Sequence, residues 1–179
     1  MFVVENTILL VVDMQGRLAH RMHEKTRLFK NIQILLQAAQ SLNIPILHTE
    51  QVPGKIGKTI PEITQYLVHQ HPIEKSSFSC CGEAGFIQAL TSLHKKQIIL
   101  SGIETHVCVY QTAVDLLQRG FEVQVVGDAV SSRTLENKEL ALARLTAMGD
   151  HVTSTEMILF ELLKSASHED FAEILKLIV

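Results

Sequence analysis

Two kinds of hydrophobic pattern alternate along the whole chain. Continuous, often β-branched apolar runs predict strands that are buried on both faces. These runs are residues 7–12, 44–48, 72–74, 97–100, 122–126 and 151–153. Between them, apolar residues recur every three or four positions, which predicts helices. The helical segments are residues 27–42, 84–93, 105–119, 135–148, 154–163 and 168–178, with a short helix from Pro61.

The alternation predicts one α/β domain over residues 1–179, with a parallel sheet covered by helices on both faces. No linker, internal repeat or low-complexity segment interrupts the pattern. Open sheets of this class bind ligands beyond the carboxyl ends of their strands. We therefore expect the polar residues that follow the predicted strands to meet at one edge of the sheet.

The composition indicates which classes of partner the protein can bind. Apolar residues make up 46% of the chain and its mean hydropathy is +0.19, which suits a fully buried sheet and a surface partly covered by another subunit. The formal net charge is -3, with no run of one sign, so a basic nucleic-acid surface is not expected. We predict a homo-oligomer that acts on a small molecule and binds no nucleic acid.

The chain carries no predicted signal peptide or membrane span. Residues 1–6 lack a basic segment, and no apolar stretch approaches the 18 or so residues of a span. Three cysteines, an odd number, favour a reducing compartment over a disulfide framework. These observations predict a cytoplasmic protein, and no Cys/His spacing indicates a metal site.

Cys108 is the first candidate for chemistry. The run 97–100 predicts a buried strand, after which Ser101 and Gly102 turn the chain. Thr105 can cap the next helix, which places Cys108 in its first turn. Such a position favours the thiolate, which is the nucleophilic form. The alternative is a buried cysteine that acts as a small hydrophobic side chain.

Two charged residues also follow predicted strands. Asp13 comes directly after the run 7–12, where a carboxylate can act as a general base or simply cap a turn. Lys75 follows the run 72–74, where it can favour a nearby thiolate or be an ordinary exposed lysine. Cys80 and Cys81 form a vicinal pair, which suits two packed thiols better than a strained disulfide.

Five segments, in this order, are similar to those of the isochorismatase-like cysteine hydrolase family. They are Val-Asp-Met-Gln at 12–15, Glu-Lys-Ser-Ser-Phe at 74–78, Gly-Ile-Glu-Thr-His-Val-Cys-Val at 102–109, Thr-Ala-Val-Asp at 112–115 and Val-Gly-Asp-Ala-Val-Ser-Ser at 126–132. The resemblance covers nearly the whole chain. It implies a three-layer α/β/α fold with a six-stranded, mostly parallel, Rossmann-like sheet.

The resemblance also implies a catalytic triad of Asp13, Lys75 and Cys108. By this likeness Cys108 attacks a carbonyl carbon, Asp13 moves the proton, and Lys75 orients Asp13 and favours the thiolate. The family has a cis peptide that would join Ile103 to Glu104. The N–H groups of Glu104 and Cys108 would then form the oxyanion hole.

Departures from the family pattern bear on the substrate. Nicotinamidases carry a metal-binding Asp and histidines after the second strand, and residues 48–57 hold no such cluster. We therefore expect no metal and no cofactor. True isochorismatases lack the cysteine, so Cys108 argues against isochorismate. The pattern Thr-Glu-Gln at 49–51, followed by glycine and by Thr-Ile-Pro-Glu at 59–62, instead resembles the subgroup called isochorismatase domain-containing proteins. Five residues are candidates for lining the substrate pocket: Gln15, Glu50, Gln51, Thr105 and Tyr110.

Three functions compete on these observations. The first is a hydrolase of the amidohydrolase type that cleaves a small amide or related C–N bond through Cys108. The second is a non-catalytic, oligomeric binding protein of the same fold, because a fold alone does not establish activity. The third is a redox-sensing protein that pairs Cys108 with Cys80 or Cys81.

Overall fold

A sheet of six parallel strands forms the centre of the part of the chain that the computed structural model describes, residues 1–68 and 70–178. His69 and Val179, both within the predicted domain, lie outside the described residues. The strand order is β3-β2-β1-β4-β5-β6, and every neighbouring pair is parallel. The strands are β1 (Thr7–Val12), β2 (Ile46–Gln51), β3 (Ile73–Lys75), β4 (Gln97–Ile103), β5 (Glu122–Ser131) and β6 (His151–Thr153).

Helices connect the strands and confirm the predicted α/β class. They are α1 (Gly16–Ala19), α2 (Lys25–Ser41), α3 (Pro53–Ile56), α4 (Pro61–Thr64), α5 (Ala84–Ser92), α6 (Tyr110–Gln118), α7 (Leu135–Ala147), α8 (Thr155–Leu163) and α9 (Phe171–Ile178). Short 3₁₀ turns cover Val4–Asn6 and Cys80–Gly82, and a π-helical turn, Thr105–Val109, leads into α6.

Strand β1 shows how the sheet makes two cores. All six of its residues are buried, and successive side chains of a strand point to opposite faces. Leu9 and Val11 pack with α2, α8 and α9 on one face. Ile8 and Leu10 pack with α5 and α6 on the other face. Because β1 is buried on both faces, its sequence has to be a continuous apolar run.

The structure extends three strands beyond their predicted carboxyl ends, to Gln51, Ile103 and Ser131. The added residues are largely polar, so the strands predicted from the apolar pattern end too early. They continue the ladder because a parallel neighbour is available: Ser101 pairs with Val11 and Gly102 with Val12. The polar residues that follow these strands therefore lie beyond strand ends that are paired with a neighbouring strand.

Between β1 and β4 the strand order reverses, which opens a crevice at the carboxyl edge of the sheet. The two strands approach so closely there that a Cβ on Gly102 would lie 2.1 Å from the carbonyl oxygen of Val12. Gly102 also has a φ of +114°, a conformation that favours glycine. This residue brings the end of β4, and the turn that carries Cys108, against the end of β1.

Candidate active site

Asp13 is held at the end of β1 by the neighbouring strand β2. Its backbone has a φ of 52°, and its N–H donates to the carbonyl oxygen of Thr49 at 3.3 Å. The Thr49 hydroxyl donates to Oδ1 of Asp13 at 2.7 Å, while Oδ2 lies 2.7 Å from Nζ of Lys75. Asp13 is 4% exposed. The carboxylate is therefore oriented through both of its oxygens.

Lys75, the last residue of β3, is a buried ammonium with several acceptors. Beyond Asp13, its Nζ donates to Oε1 of Gln51 at 2.6 Å and to the carbonyl oxygens of Ser77 and Phe78 at 3.2 and 3.1 Å. Burial disfavours its charge, but the Asp13 carboxylate and the neighbouring cysteines outweigh this effect and raise the pKa of Lys75. Lys75 is therefore a fixed positive charge and not an exposed lysine.

Cys108 lies in the π-helical turn and opens into a pocket at the carboxyl edge. Burial raises the pKa of the Cys108 thiol to about 12; the negative charge of Asp13 adds to the rise and Lys75 opposes it. The sequence had indicated a position that favours the thiolate. The difference arises because the fold places a carboxylate beside the sulfur and withdraws the group from water, so the resting thiol is protonated.

A second buried cysteine lies beneath this cluster. Sγ of Cys80 is 3.9 Å from Oγ1 of Thr49, and burial raises the pKa of Cys80 to about 12. Burial also raises the pKa of Cys81. All three cysteines are free thiols.

The turn before Cys108 carries a charged cluster that the sequence did not indicate. The peptide bond between Ile103 and Glu104 is cis. The Glu104 carboxylate accepts from Nε of Arg133 at 3.0 and 3.2 Å, and Nδ1 of His106 lies 3.6 Å from it. Nδ1 of His106 is also 2.9 Å from Oγ of Ser132. Arg133 lies 29 residues away along the chain, and only the ending of β5 beside β4 brings it here.

The pocket in front of Cys108 has a volume of about 260 Å³ and a mostly apolar wall. Its lining residues are Asp13, Gln15, Leu18, Gln51, Ile56, Phe78, Ile103, Glu104, Val107 and Cys108. Lys75 lies behind Asp13, buried. The pocket therefore brings together the predicted nucleophile and base, with the lysine supporting the base from the protein side.

Two predicted pocket residues line this space, but their amides are already engaged. Gln15 donates to the carbonyl oxygens of Gln51 and Gly57 at 3.2 and 2.6 Å and accepts from the Gln51 N–H at 2.6 Å. The Gln51 side chain accepts from Lys75 and donates to the carbonyl oxygen of Ser76 at 2.8 Å. Both glutamines therefore tie the ends of strands and loops together.

The other three pocket candidates, Glu50, Thr105 and Tyr110, lie outside this lining. Glu50 accepts from the N–H and the hydroxyl of Thr59, because side chains alternate along β2 and its carboxylate points away. The Tyr110 hydroxyl reaches Sδ of Met148 at 3.6 Å on the outer side of α6. Thr105 is fully buried, and within the described chain its hydroxyl has no hydrogen-bond partner, so it does not cap the helix as expected.

The residues that form the apolar wall were not identified from the sequence; they are Leu18, Ile56, Phe78, Ile103 and Val107. Ile103 and Val107 lie in the segment 102–109, which carries Cys108. Phe78 is the last residue of the segment 74–78, which carries Lys75. Their proximity to the predicted catalytic residues was a usable signal. Leu18 and Ile56 carried none, because short connecting helices bring them to the site.

No group of three or more His, Cys, Asp or Glu side chains among residues 1–68 and 70–178 is arranged to hold a metal ion. In the same part of the chain, none of the helices has the length and apolar character needed to cross a membrane.

Known proteins are similar to this chain in both sequence and fold. The family model named Isochorismatase domain matches residues 7–157. The chain is 39% identical over 174 residues to isochorismatase domain-containing protein 2 of Danio rerio, covering 97% of this chain and 87% of that protein. It is 34% identical to secreted isochorismatase effector Isc1 of Phytophthora sojae, covering 97% and 84%.

Three solved structures superpose over nearly the full chain. MAR1 ribonuclease from Caenorhabditis elegans has a TM-score of 0.92 and 35% identity, covering 99% of this chain and 91% of that one. The YcaC product of Escherichia coli, described as an octameric hydrolase of unknown specificity, has a TM-score of 0.92 and 24% identity, covering 99% and 88%. YcaC from Pseudomonas aeruginosa, solved with hexane-2,5-diol and covalent acrylamide, has a TM-score of 0.91 and 25% identity, covering 98% and 90%.

The resemblance inferred from five short segments is thus confirmed over the whole sheet. The matched family model and the near-complete coverage of the relatives show that this chain belongs to the isochorismatase domain family, and this membership supports a hydrolase.

Proposed function

We propose that this protein is a cysteine-dependent hydrolase that cleaves a small amide, or a related C–N bond, through a thioester formed on Cys108. One observation carries the proposal: the buried ion pair of Asp13 and Lys75, 2.7 Å apart, stands beside a cysteine that opens into a pocket. A nucleophile, its base and a group that orients the base make up the activated-nucleophile arrangement. The proposed reaction uses no cofactor.

The first half of the reaction transfers the acyl group to sulfur. Because the pKa of Cys108 is raised to about 12, the proton leaves the thiol during the attack and not before it. Asp13 accepts this proton as Sγ bonds to the carbonyl carbon, whose oxygen becomes an oxyanion. The C–N bond then breaks, and Asp13 passes the proton to the nitrogen, which departs as ammonia or an amine.

The second half releases the acid. A water molecule gives one proton to Asp13 as its oxygen bonds to the thioester carbon. The C–S bond breaks, and the sulfur takes the proton back from Asp13. The sum is an amide and water converted to a carboxylic acid and an amine, with the enzyme returned to its starting state. Division into two easier steps is the benefit of covalent catalysis.

Lys75 and the turn before Cys108 complete the proposed machinery. Lys75 keeps Asp13 oriented between proton transfers, since their contact is short and buried. The N–H groups of Glu104 and Cys108 are proposed as the oxyanion hole. The Glu104 carboxylate is held by Arg133, which supports the position of that peptide.

The relatives are compatible with this chemistry without defining the substrate. Acrylamide, a small neutral amide, is covalently bound in YcaC from Pseudomonas aeruginosa. The octameric YcaC hydrolase of Escherichia coli is described as being of unknown specificity. The covalent acrylamide is compatible with a site that takes small molecules. The octameric neighbour is compatible with the homo-oligomer predicted from composition, which remains part of our proposal. Cytoplasmic location also stays a prediction, since one relative is named a secreted effector.

The two other functions considered from the sequence receive less support. A redox sensor needs thiols with a lowered pKa and access to oxidant, whereas the pKa of each cysteine here is raised by burial. A non-catalytic, oligomeric binding role does not explain why a lysine and a carboxylate are buried beside Cys108, because burying such charges is costly.

The ribonuclease named among the solved structures raises RNA as a substrate. RNA binding depends on lysine and arginine at phosphate groups. The described residues that line the pocket include no basic side chain, and Lys75 is engaged within the protein. The net charge of -3 points the same way. We therefore propose a small amide and not RNA.

The experiment that tests the proposed function is a screen of small primary amides with matched variants. Cys108→Ala and Asp13→Asn are expected to lower turnover by about a thousandfold or more, because each removes a group that acts in the reaction. Cys81→Ala serves as the control and is expected to retain activity. Rapid quenching followed by intact mass measurement should show an acyl group on Cys108 of the unsubstituted protein.

Two outcomes would overturn the proposal. Full amide turnover by Cys108→Ala would remove the nucleophile from the mechanism. Cleavage of an RNA oligonucleotide that depends on Cys108, in a protein that turns over no amide, would assign the site to a different substrate class.

A further inference from the structure

The wall of the pocket carries information about the acyl group of the substrate. Five apolar side chains form most of it, and the volume of about 260 Å³ lies below the roughly 300–1,000 Å³ typical of drug-sized ligands. Phe78, which is 56% exposed, stands at the mouth. Its loop is fixed because Oε1 of Glu83 accepts from the N–H groups of Ser76 and Ser77 at 2.7 and 3.0 Å. The pocket is therefore small and has a defined shape.

The polar side chains in the lining already have partners within the protein. Gln15 and Gln51 use their amide groups within the protein. Glu104 is paired with Arg133, and Asp13 with Lys75, so each carboxylate in the lining already has its cation. A charged group on the acyl portion would lose water and find no partner of opposite charge.

We propose that the natural substrate carries an uncharged, predominantly apolar acyl group of few atoms, and that a carboxylate next to the scissile carbonyl is rejected. This inference rests on the proposed function and narrows its substrate class. The apolar wall excludes a charged acyl group because desolvating a charge is costly. No specific recognition group makes this selection.

Two alkylating reagents that differ in charge test the inference without requiring turnover. Iodoacetamide is neutral and iodoacetate is an anion of almost the same size, and both react with the thiolate of Cys108. Their rates at Cys108, mapped by mass spectrometry and divided by their rates with N-acetylcysteine, report only the preference of the pocket. We expect iodoacetamide to be favoured by about tenfold or more, which corresponds to about 1.4 kcal/mol.

A matched pair of variants tests whether the wall is responsible. Ile56 is partly exposed and lines the pocket, so it tolerates a longer side chain better than a core residue would. Ile56→Lys adds a cation and is expected to shift the preference toward iodoacetate by about tenfold, whereas Ile56→Met keeps a neutral wall and should leave it unchanged. Thermal unfolding checks that both variants fold. The rate measurements are repeated at high salt. Salt screens the long-range effect of the net charge of the protein on the anionic reagent and leaves the effect of the groups that line the pocket.

The outcomes separate this inference from the proposed function. A preference for iodoacetamide that Ile56→Lys largely removes and Ile56→Met retains supports the inference. Equal normalised rates, or a preference for iodoacetate, in the unsubstituted protein would overturn it even if amides are hydrolysed. Turnover of an amide with an acyl carboxylate in preference to its neutral isostere would also overturn it and leave the proposed function intact. The rates are compared at about pH 10, where a thiol of raised pKa still has a measurable thiolate fraction. If neither reagent labels Cys108 under these conditions, both proposals fail, because no small electrophile then enters the pocket.

Discussion

The thiol of Cys108 lies between two opposite charges that act on its pKa in opposite directions. Burial raises this pKa most, the Asp13 carboxylate raises it further, and the Lys75 ammonium lowers it. The carboxylate that can remove the proton during attack therefore also keeps the resting thiol protonated. This arrangement suits a nucleophile that is activated only when a carbonyl carbon is in place.

Replacing the carboxylate separates these two effects. Asp13→Asn removes the negative charge beside the sulfur and leaves Lys75, so the pKa of Cys108 should fall and its alkylation by iodoacetamide at mildly alkaline pH should become several-fold faster. Amide turnover should be lost in the same variant. Lys75→Met is the opposite control, in which alkylation should slow. Slower alkylation of Asp13→Asn would contradict the role given to the carboxylate.

At the scale of elements, the approach of β4 to β1 depends on a single glycine. A Cβ on Gly102 would lie 2.1 Å from the carbonyl oxygen of Val12 and 2.5 Å from its nitrogen, and a φ of +114° is strained for any other residue. The ladder pairs Gly102 with Val12, so the two strands cannot separate locally without losing hydrogen bonds.

Gly102→Ala is therefore expected to lower the free energy of unfolding by roughly 2–5 kcal/mol, from overpacking and backbone strain together. The measurement is denaturant unfolding, with Gly85→Ala as the control. Gly85 lies within α5, and a Cβ added there would meet no neighbouring heavy atom within 4 Å, so alanine should be neutral or slightly stabilising. Equal stability of the two variants would show that the strands have room to adjust.

The type and order of the six strands and of the longer helices could be predicted from the hydrophobic pattern, but the short helices α1 and α3 and the ends of several strands could not. The run 7–12 and the segment 135–147 were predicted within one residue, because burial on both faces or on one stripe repeats regularly. The carboxyl ends of β2, β4 and β5 mix polar residues and glycine with apolar residues, and they were missed. Their pairing with a neighbouring strand is a long-range property that no local pattern contains.

At the scale of the whole molecule, one buried carboxylate links stability to pH. Asp150, between α7 and β6, is 3% exposed, and burial raises its pKa to about 7, an effect that the nearby N–H of His151 opposes only in part. Neither carboxylate oxygen has a well-formed hydrogen bond to another of the described residues. The folded state therefore binds a proton that the unfolded state releases near pH 4, roughly the ordinary pKa of an aspartate.

The sign of the effect follows from this difference. Below about pH 4 the group is protonated in both states, and its contribution to stability is lost as the pH rises toward 7. We expect Asp150→Asn to become more stable relative to the unsubstituted protein by up to about 1.4 kcal/mol per pH unit between roughly pH 5 and 7. Denaturant unfolding at several pH values measures this slope. A difference between Asp150→Asn and the unsubstituted protein that does not change with pH would contradict the buried titration.

The sequence by itself determined the α/β class, the order of the strands and longer helices, and three chemistry-bearing residues at or after the ends of strands, because each depends on local periodicity or on short ordered motifs. Only the tertiary structure decided how these residues act on one another. The protonated state of Cys108, the engagement of Gln15 and Gln51, and the apolar wall of the pocket all arise from groups far apart along the chain. Charge, burial and shape at the site depend on distances across the fold, and a linear pattern does not contain those distances.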